Sequence, residues 1–484
     1  MSNKRIQLPE RGLSRAALVN QMEAARAHDV HWRQGQVWSL VFDAGDEVNE
    51  LAKTAYTTFF SENGLNPTAF PSLRRFETEV VAMAGELLSG DGHTAGNMTT
   101  GGTESILLAV LTAREWGRIH KPKAVQPEMV LPSTAHPAFD KAGHYFGVKA
   151  VRVPVGDDFR ADVDAMRQAI TLDTVLVAGS APSYPHGVVD PIAELAALAQ
   201  QRWTLCHVDA CVGGMMLPFV RRLGYPVTPF DFSVPGVTSL SVDLHKYGYA
   251  AKGASVILYR TAELRRHQLY ATTDWPGGIY ASPTMTGTRP GGAMAAAWAV
   301  LNFLGMEGYE RIARTVMQTT VRLRDGINAI DGLRVLGSPA MSVLAIASDK
   351  DNVYEIGDEM GLRGWHLDRQ QFPPSLHLTV NYAHRDVADR FLLDLAHSVL
   401  QARQPSLRHS SNELAVKAAR SAARVLPGRL VSGMTGAASS LFGGEAGLPQ
   451  RSAAMYGMMG TLPNRGDLRE LVLDLLESFT TSQR

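Results

Sequence analysis

The sequence predicts an α/β fold: a mainly parallel sheet with helices on both faces. Three observations carry that prediction. From about residue 76 to 330, apolar runs of strand length alternate with longer amphipathic stretches of helical period. Two of the strand-like runs end in chemically capable residues, Asp209 and the pair His245-Lys246, as strand carboxyl ends do at α/β sites. The 484 residues are 45% hydrophobic, which suits a large domain with smaller lobes.

In chain order, residues 1–75 read as a mostly helical arm. Thr103–Arg118 reads as an amphipathic helix, Met129–Leu131 as a short apolar strand and Thr174–Gly179 as a buried strand. Asp190-Pro191 is expected to open a helix over Ile192–Arg202, the acid as N-cap and the proline at the first position. Strands follow at about Leu205–Asp209, Val237–Leu244 and Ala254–Tyr259, and Arg289-Pro-Gly-Gly leads into a helix, Ala293–Leu304. This makes 76–330 the large cofactor-binding domain. Residues 331–484 read as a C-terminal α+β domain, with strands near Ser342–Ile346 and Leu376–Val380 and a helix after His384. Within it, 403–450 is rich in Ser, Ala, Gly and Arg and reads as loop or mobile cover, apart from a candidate helix over Val416–Val425.

Charge excludes some functions. Lys and Arg number 47 against 47 Asp and Glu, so nothing global favours nucleic acid or an anionic membrane. No apolar run reaches the roughly 18–20 residues of a membrane span, and the start lacks an apolar leader. A soluble, cytoplasmic protein without a transmembrane segment is expected. The two cysteines, Cys206 and Cys211, fit a reducing compartment, and their spacing offers no metal cluster. Cys211 is expected in the core or beneath a cofactor.

Four segments carry chemistry. Gly101, Gly102 and Thr103, ahead of the apolar run Ile106–Leu111, leave backbone N–H groups free to cradle a phosphate at a helix start, although ordinary helix starts look similar. His136 offers an imidazole to stack on a flat heteroaromatic ring, a role less common than a structural one. Asp209, in His207-Val-Asp-Ala-Cys211, closes a strand where a carboxylate can pair with a protonated pyridine nitrogen and maintain the electron sink of pyridoxal phosphate. Lys246 closes another. A lone strand-end lysine is usually solvated, but burial there is expected to lower its pKa and make it an amine able to form a Schiff base. Cradle, stacking ring, acid and lysine, in that order along a β/α chain, outline a complete cofactor site.

The segments around Asp209 and His245-Lys246 resemble the group II branch of fold-type I pyridoxal phosphate enzymes, which includes amino-acid decarboxylases. Asp243–Gly253 and Thr273–Gly292 are more closely similar to the sphingosine-1-phosphate lyase family, with further matching stretches at Phe70–Arg75, Ser183–Pro191, Gln371–Ser375 and Tyr456–Met458. The resemblance covers about 35–400 and resumes near 453; Gly277–Gly292 is its most discriminating block. It implies pyridoxal 5′-phosphate held by Lys246. It also implies cleavage of the C2–C3 bond of a long-chain base phosphate to a fatty aldehyde and phosphoethanolamine, with no carboxylate lost. By position, His136 would stack on the ring and Asp209 would hold its nitrogen. Gly101, Gly102, Thr103 and His245 would hold the cofactor phosphate, joined by Thr288 of the partner subunit in a homodimer with shared sites. Lys252 and Tyr184 would contact the substrate phosphate and Asn63 the entrance. Lys246 and Tyr184 are both candidates for the base.

Two positions depart from the family pattern. Asn66 stands where a histidine helps bind the substrate phosphate, and Trp38 where a tyrosine is expected. A charge-assisted hydrogen bond contributes roughly 1.5–3 kcal/mol, so two losses weaken phosphate recognition unless Lys252 or Arg33 compensates. The alternatives are a group II L-amino-acid decarboxylase, revealed by carbon dioxide, an aminotransferase, revealed by a pyridoxamine form, and an idle lipid-phosphate binder, revealed by a missing cofactor absorption.

Overall fold

A computed structural model describes residues 7–404, 453, 469–470, 472–474 and 476–477. The expected helix at Val416–Val425, the 403–450 segment from 405 onward and the Tyr456–Met458 match lie outside the described residues. The chain divides into two compact units. The larger is Trp38–Ile346 with His377–Ala388; the smaller is Met1–Val37, Ala347–Leu376 and Asp389–Arg484.

The larger unit is built on seven strands: β1 (Ala95–Thr99), β2 (Glu128–Pro132), β3 (Lys149–Val153), β4 (Thr174–Ser180), β5 (Leu205–Asp209), β6 (Ser239–Val242) and β7 (Ser255–Tyr259). They lie in the order β1-β7-β6-β5-β4-β2-β3. Every residue of β2, β4, β5, β6 and β7 is buried, as a sheet covered on both faces requires. Four pairings, β3 with β2, β2 with β4, β4 with β5 and β5 with β6, are parallel. β7 runs antiparallel to both β6 and β1. The cause is its connection: residues 243–254 contain no helix, and a parallel return needs a crossover. Two reversals leave β1 parallel to β6, so the carboxyl ends of β1, β2, β4, β5 and β6 share one edge.

Helices α1 (Arg15–Ala25), α2 (Asp46–Thr58) and α3 (Pro71–Leu87) precede β1. Next come α4 (Gly102–His120), α5 (Ala138–Phe146), α6 (Val163–Ala169), α7 (Ile192–Gln201), α8 (Leu217–Arg222) and α9 (Ala262–Arg266). Pro191 itself is the N-cap of α7, so Asp190 does not cap it as expected. The Asp190 carboxylate turns inward instead, accepting from the backbone N–H of Ser180 (2.7 Å) and Ala161 (2.8 Å), and burial pushes its pKa up to about 6. The short strands β8 (Tyr270–Thr272) and β9 (Tyr280–Ser282) pair as a separate two-stranded sheet.

Helix α10 (Gly291–Ala329) runs far beyond the expected Leu304, with one non-helical residue, Gly305, at φ 52°. Its start explains the glycine pair. A β-carbon on Gly291 would lie 2.5 Å from the Glu62 carbonyl, and one on Gly292 would lie 2.7 Å from that of Tyr56. A second sheet runs in the order β10 (Leu333–Val335), β11 (Val343–Ser348), β13 (Ser375–Thr379), β12 (Asp368–Gln370). Helices α11 (Val353–Leu362) and α12 (Ala388–Ala402) complete the described elements. Among the described residues no helix is long and apolar enough to cross a membrane.

Candidate active site

Parallel pairing sets Asp209, the last residue of β5, beside Ser241 of β6. The loop leaving β6 then carries Asp243, His245 and Lys246 over the same edge. β1 ends at Thr99 on this edge too, and the chain turns through Thr100 and Gly101 into α4. Gly102 closes the arrangement. A β-carbon there would meet Cys211 Sγ at 2.5 Å and both Asp243 carboxylate oxygens at 2.9 Å. Only glycine lets the amino end of α4 settle against β5 and β6. Gly102→Ala is expected to weaken cofactor binding at least about tenfold through overpacking of roughly 1–3 kcal/mol, read by titrating pyridoxal phosphate into cofactor-stripped protein.

The amino end of α4 could hold an anion. Gly101 is the N-cap and contributes no side-chain bond, so the first-turn N–H groups stay available. His245 Nδ1 is buried and has no hydrogen-bond partner among the described residues, and its ring lies 3.6 Å from where a Gly101 β-carbon would stand. An orphaned ring nitrogen beside an uncapped helix start fits a phosphate. Burial holds the His245 imidazole below its ordinary pKa, opposed by Asp243.

Glu104, in the first turn of α4, escaped the sequence reading. It is buried and turned sideways: Oε2 accepts from the Thr100 N–H and hydroxyl, each at 2.7 Å, and Oε1 from the Met285 N–H at 3.0 Å. It therefore fixes the cradle turn and the 283–286 segment rather than opposing a bound anion. Its only signal was an acid four residues after a threonine at a helix start.

Asp209 is 8% exposed. Its Oδ1 accepts from the Cys211 N–H (3.1 Å) and the Ser241 hydroxyl (3.3 Å), and Oδ2 receives no hydrogen bond from the described residues. Beneath it His207, wholly buried, joins Ser239 (2.9 Å) to Ser241 (3.2 Å). Burial pushes the His207 imidazole down to about 4, so it is neutral near pH 7. One carboxylate oxygen is thus anchored and the other left for a ring N–H. Cys211 lies in the core against this group, as expected, and burial together with the neighbouring acids pushes its thiol well up.

Lys246 corrects an expectation. Its side chain is 26% exposed, and Nζ lies 2.9 Å from Asp243 Oδ2. Burial acts to lower its pKa, but Asp243, Cys211 and Asp209 together outweigh burial and the net shift is upward. Uncharged surroundings were assumed; an acid three residues earlier supplies an ion pair. Asp243 is itself fixed, with Oδ1 accepting from the Ser255 hydroxyl at 2.5 Å.

The other site residues fall into two groups. His136 is exposed on the loop after β2, its ring oriented by a bond from the Ala138 N–H to Nδ1 (3.1 Å). Tyr184, after β4, is 38% exposed and stacks on His377 at 4.1 Å. Lys252 Nζ donates to the carbonyls of Leu40 (2.8 Å) and His245 (3.3 Å), and burial and the charge of Lys246 hold its pKa low. Asn63 belongs to a separate lacing, and Thr288 is exposed just before Arg289. Asn63 bridges Pro290, Gly64 N–H donates to the Arg289 carbonyl (2.8 Å), and Arg289 pairs with Glu77. Asn66 Oδ1 is engaged by its own turn, accepting from Thr68 N–H (2.9 Å), the Thr68 hydroxyl (2.7 Å) and Ala69 N–H (3.3 Å).

Trp38 is a correction. It is 0% exposed and stacks on His384 at 3.9 Å, so it is core and presents no surface to a substrate.

An anion seat, a lysine and a half-free aspartate around one sheet edge define a pyridoxal phosphate site. The chain belongs to the pyridoxal-dependent decarboxylase family, whose conserved domain matches residues 2–343. Within it the chain groups with the sphingosine-1-phosphate lyases. It is 41% identical to the sphingosine-1-phosphate lyase of rice, Oryza sativa subsp. japonica, over 99% of this chain and 82% of that one. A solved sphingosine-1-phosphate lyase from Burkholderia pseudomallei is 40% identical with a TM-score of 0.80, covering 83% of this chain and 93% of that one. The glutamate decarboxylase of Lactobacillus brevis, at 17% identity and TM-score 0.74 over 84% of this chain and 97% of that one, shares the fold. The architecture is fold-type I, and the cofactor is pyridoxal 5′-phosphate.

Proposed function

We propose that this protein cleaves the C2–C3 bond of sphingosine 1-phosphate or a related long-chain base phosphate, releasing a fatty aldehyde and phosphoethanolamine. The observation that carries the reading is the meeting of Lys246, Asp209 and the orphaned His245 ring nitrogen at the amino end of α4, in a chain about 40% identical to sphingosine-1-phosphate lyases.

Pyridoxal phosphate, when bound, takes up the substrate amine and accepts the electron pair of the breaking bond. The protein's residues do the rest. Gly101, Gly102, Thr103 and His245 hold the cofactor phosphate, with Thr288 of the partner subunit. His136 covers the ring face. Asp209 Oδ2 keeps the ring nitrogen protonated. Lys252 and Tyr184 receive the substrate phosphate, with Asn63 at the entrance. Asn66 contributes through the turn it closes. The hydroxyl proton on C3 passes to Tyr184 or to Lys246.

The site works as a homodimer. Strand β8, the β8–β9 connection and the loop after β9 expose Tyr270, Trp275, Ile279 and Met285, apolar side chains suited to a second copy. The two buried free thiols suit a reducing cytoplasm, where the protein is soluble. The deciding experiment incubates cofactor-loaded protein with sphinganine 1-phosphate and measures both products. Equimolar fatty aldehyde and phosphoethanolamine are expected. Neither product with an intact cofactor band would overturn the reading, and carbon dioxide from amino acids would replace it with a decarboxylase.

A further inference from the structure

The sheet edge leaves one group without a role in the cofactor site: Asp243. Its carboxylate is buried at 2% exposure, Oδ2 lies 2.9 Å from Lys246 Nζ, and Oδ1 is held by the Ser255 hydroxyl. A β-carbon on Gly102 would lie 2.9 Å from both oxygens, so the carboxylate sits close against the start of α4. We propose that Asp243 is the positioning residue of Lys246, holding its side-chain nitrogen as an ammonium whenever that nitrogen is not covalently engaged. The inference rests on the pyridoxal phosphate reading of the site and extends it to the state of the lysine.

The charges facing Lys246 are few. Asp243 lies against it, Asp209 and Cys211 face it from the end of β5, and His245 and Lys252 come from its own loop. Burial is the largest single influence and opposes the ammonium, as do His245 and Lys252; Asp243, Cys211 and Asp209 favour it and together prevail. Asp243 is the one in direct contact, acting through both its charge and a hydrogen bond.

This assigns a direction to the chemistry. A lysine released as an ammonium has a proton to give. Its N–H bond breaks as a C–H bond forms on the carbon from which the aldehyde departed. The nitrogen is left as a neutral amine, the form that re-engages the cofactor. The proton on the C3 hydroxyl must then go elsewhere, and Tyr184 is the remaining candidate.

The test needs no lyase assay, so it stands apart from the proposed function. Full-length protein, stripped of cofactor with hydroxylamine, is acylated with acetic anhydride across a range of pH. Modification of Lys246 is followed by peptide mass spectrometry, with exposed lysines in the same chain as internal references. Only the free amine reacts, and the midpoint of the profile is independent of how accessible the nitrogen is. In the wild type the Lys246 midpoint is expected above those of the exposed lysines. In Asp243→Asn the carboxylate charge is gone and burial is less opposed, so the midpoint falls and modification at pH 8 speeds up at least about tenfold. A wild-type midpoint at or below the references overturns the proposal, even if the variant fails to fold. An unchanged midpoint in a folded Asp243→Asn protein overturns it as well. Failure of the stripped protein to take up pyridoxal phosphate would count against the cofactor reading alone.

Discussion

Lys246→Ala is expected to lose turnover by more than about 10⁴-fold and to lose the cofactor's absorption near the visible edge. Lys252, the other lysine of this loop, is held by the carbonyls of Leu40 and His245. The substitution has a second effect that follows from Asp243 rather than from catalysis. Removing the lysine leaves a buried carboxylate with the Ser255 hydroxyl, a distant His245 and no ammonium. Breaking a buried pair from one side costs about 3 kcal/mol, so Lys246→Ala is also expected to melt lower. Burial raises the Asp243 pKa, but Lys246, His245 and the Ser255 hydroxyl together outweigh it and hold the pKa below its ordinary 3.8, with Lys246 the largest of the three. A depressed carboxylate stabilises the fold above its unfolded pKa and loses that contribution as pH falls through its folded value. The melting difference should therefore be full at neutral pH and shrink in acid. Adding Asp243→Asn to Lys246→Ala should restore most of the melting temperature without restoring turnover. Strict additivity of the two substitutions in melting would show that the pair is not coupled.

The site's chemistry was more legible in the sequence than its electrostatics. Lys246, Asp209 and the Gly101-Gly102 turn announce themselves because their residue types and order are what the cofactor needs. Asp243 does not, because an acid near a strand end is ordinary until the chain folds it onto the lysine. Glu104 is hidden in the same way: its partners are Thr100, close by, and Met285, far along the chain. Trp38 was misjudged because its environment depends on His384, which the sequence gives no means of pairing with it. For the fold, apolar runs marked β4, β5 and β6 within a residue or two at most. The direction of β7 was not marked, since it depends on the missing crossover helix between 243 and 254. α10 was cut short because Gly305 lies just past the expected end, and helix resumes beyond this one non-helical residue.

Asp209→Asn is expected to lower kcat by about 10²–10³-fold while leaving cofactor binding and KM within a few-fold of wild type. The substitution conserves shape, so the Cys211 N–H and Ser241 hydroxyl can still bond Oδ1, and His207 still supports Ser241 from below. What changes is the atom facing the ring. A carboxylate oxygen accepts from a protonated ring nitrogen and balances its charge, whereas an amide either donates or accepts without charge. In the proposed site the cofactor would remain held through Lys246 and the phosphate seat at α4, both untouched. The loss would therefore fall on kcat, since a bound cofactor would accept the electron pair of the breaking bond best with the nitrogen that Asp209 faces protonated. Measuring kcat, KM and the cofactor's absorption together separates this from a folding defect. A fall in cofactor affinity matching the fall in kcat would mean that Asp209 mainly anchors the ring; an unchanged kcat would mean that the ring nitrogen needs no proton in this enzyme.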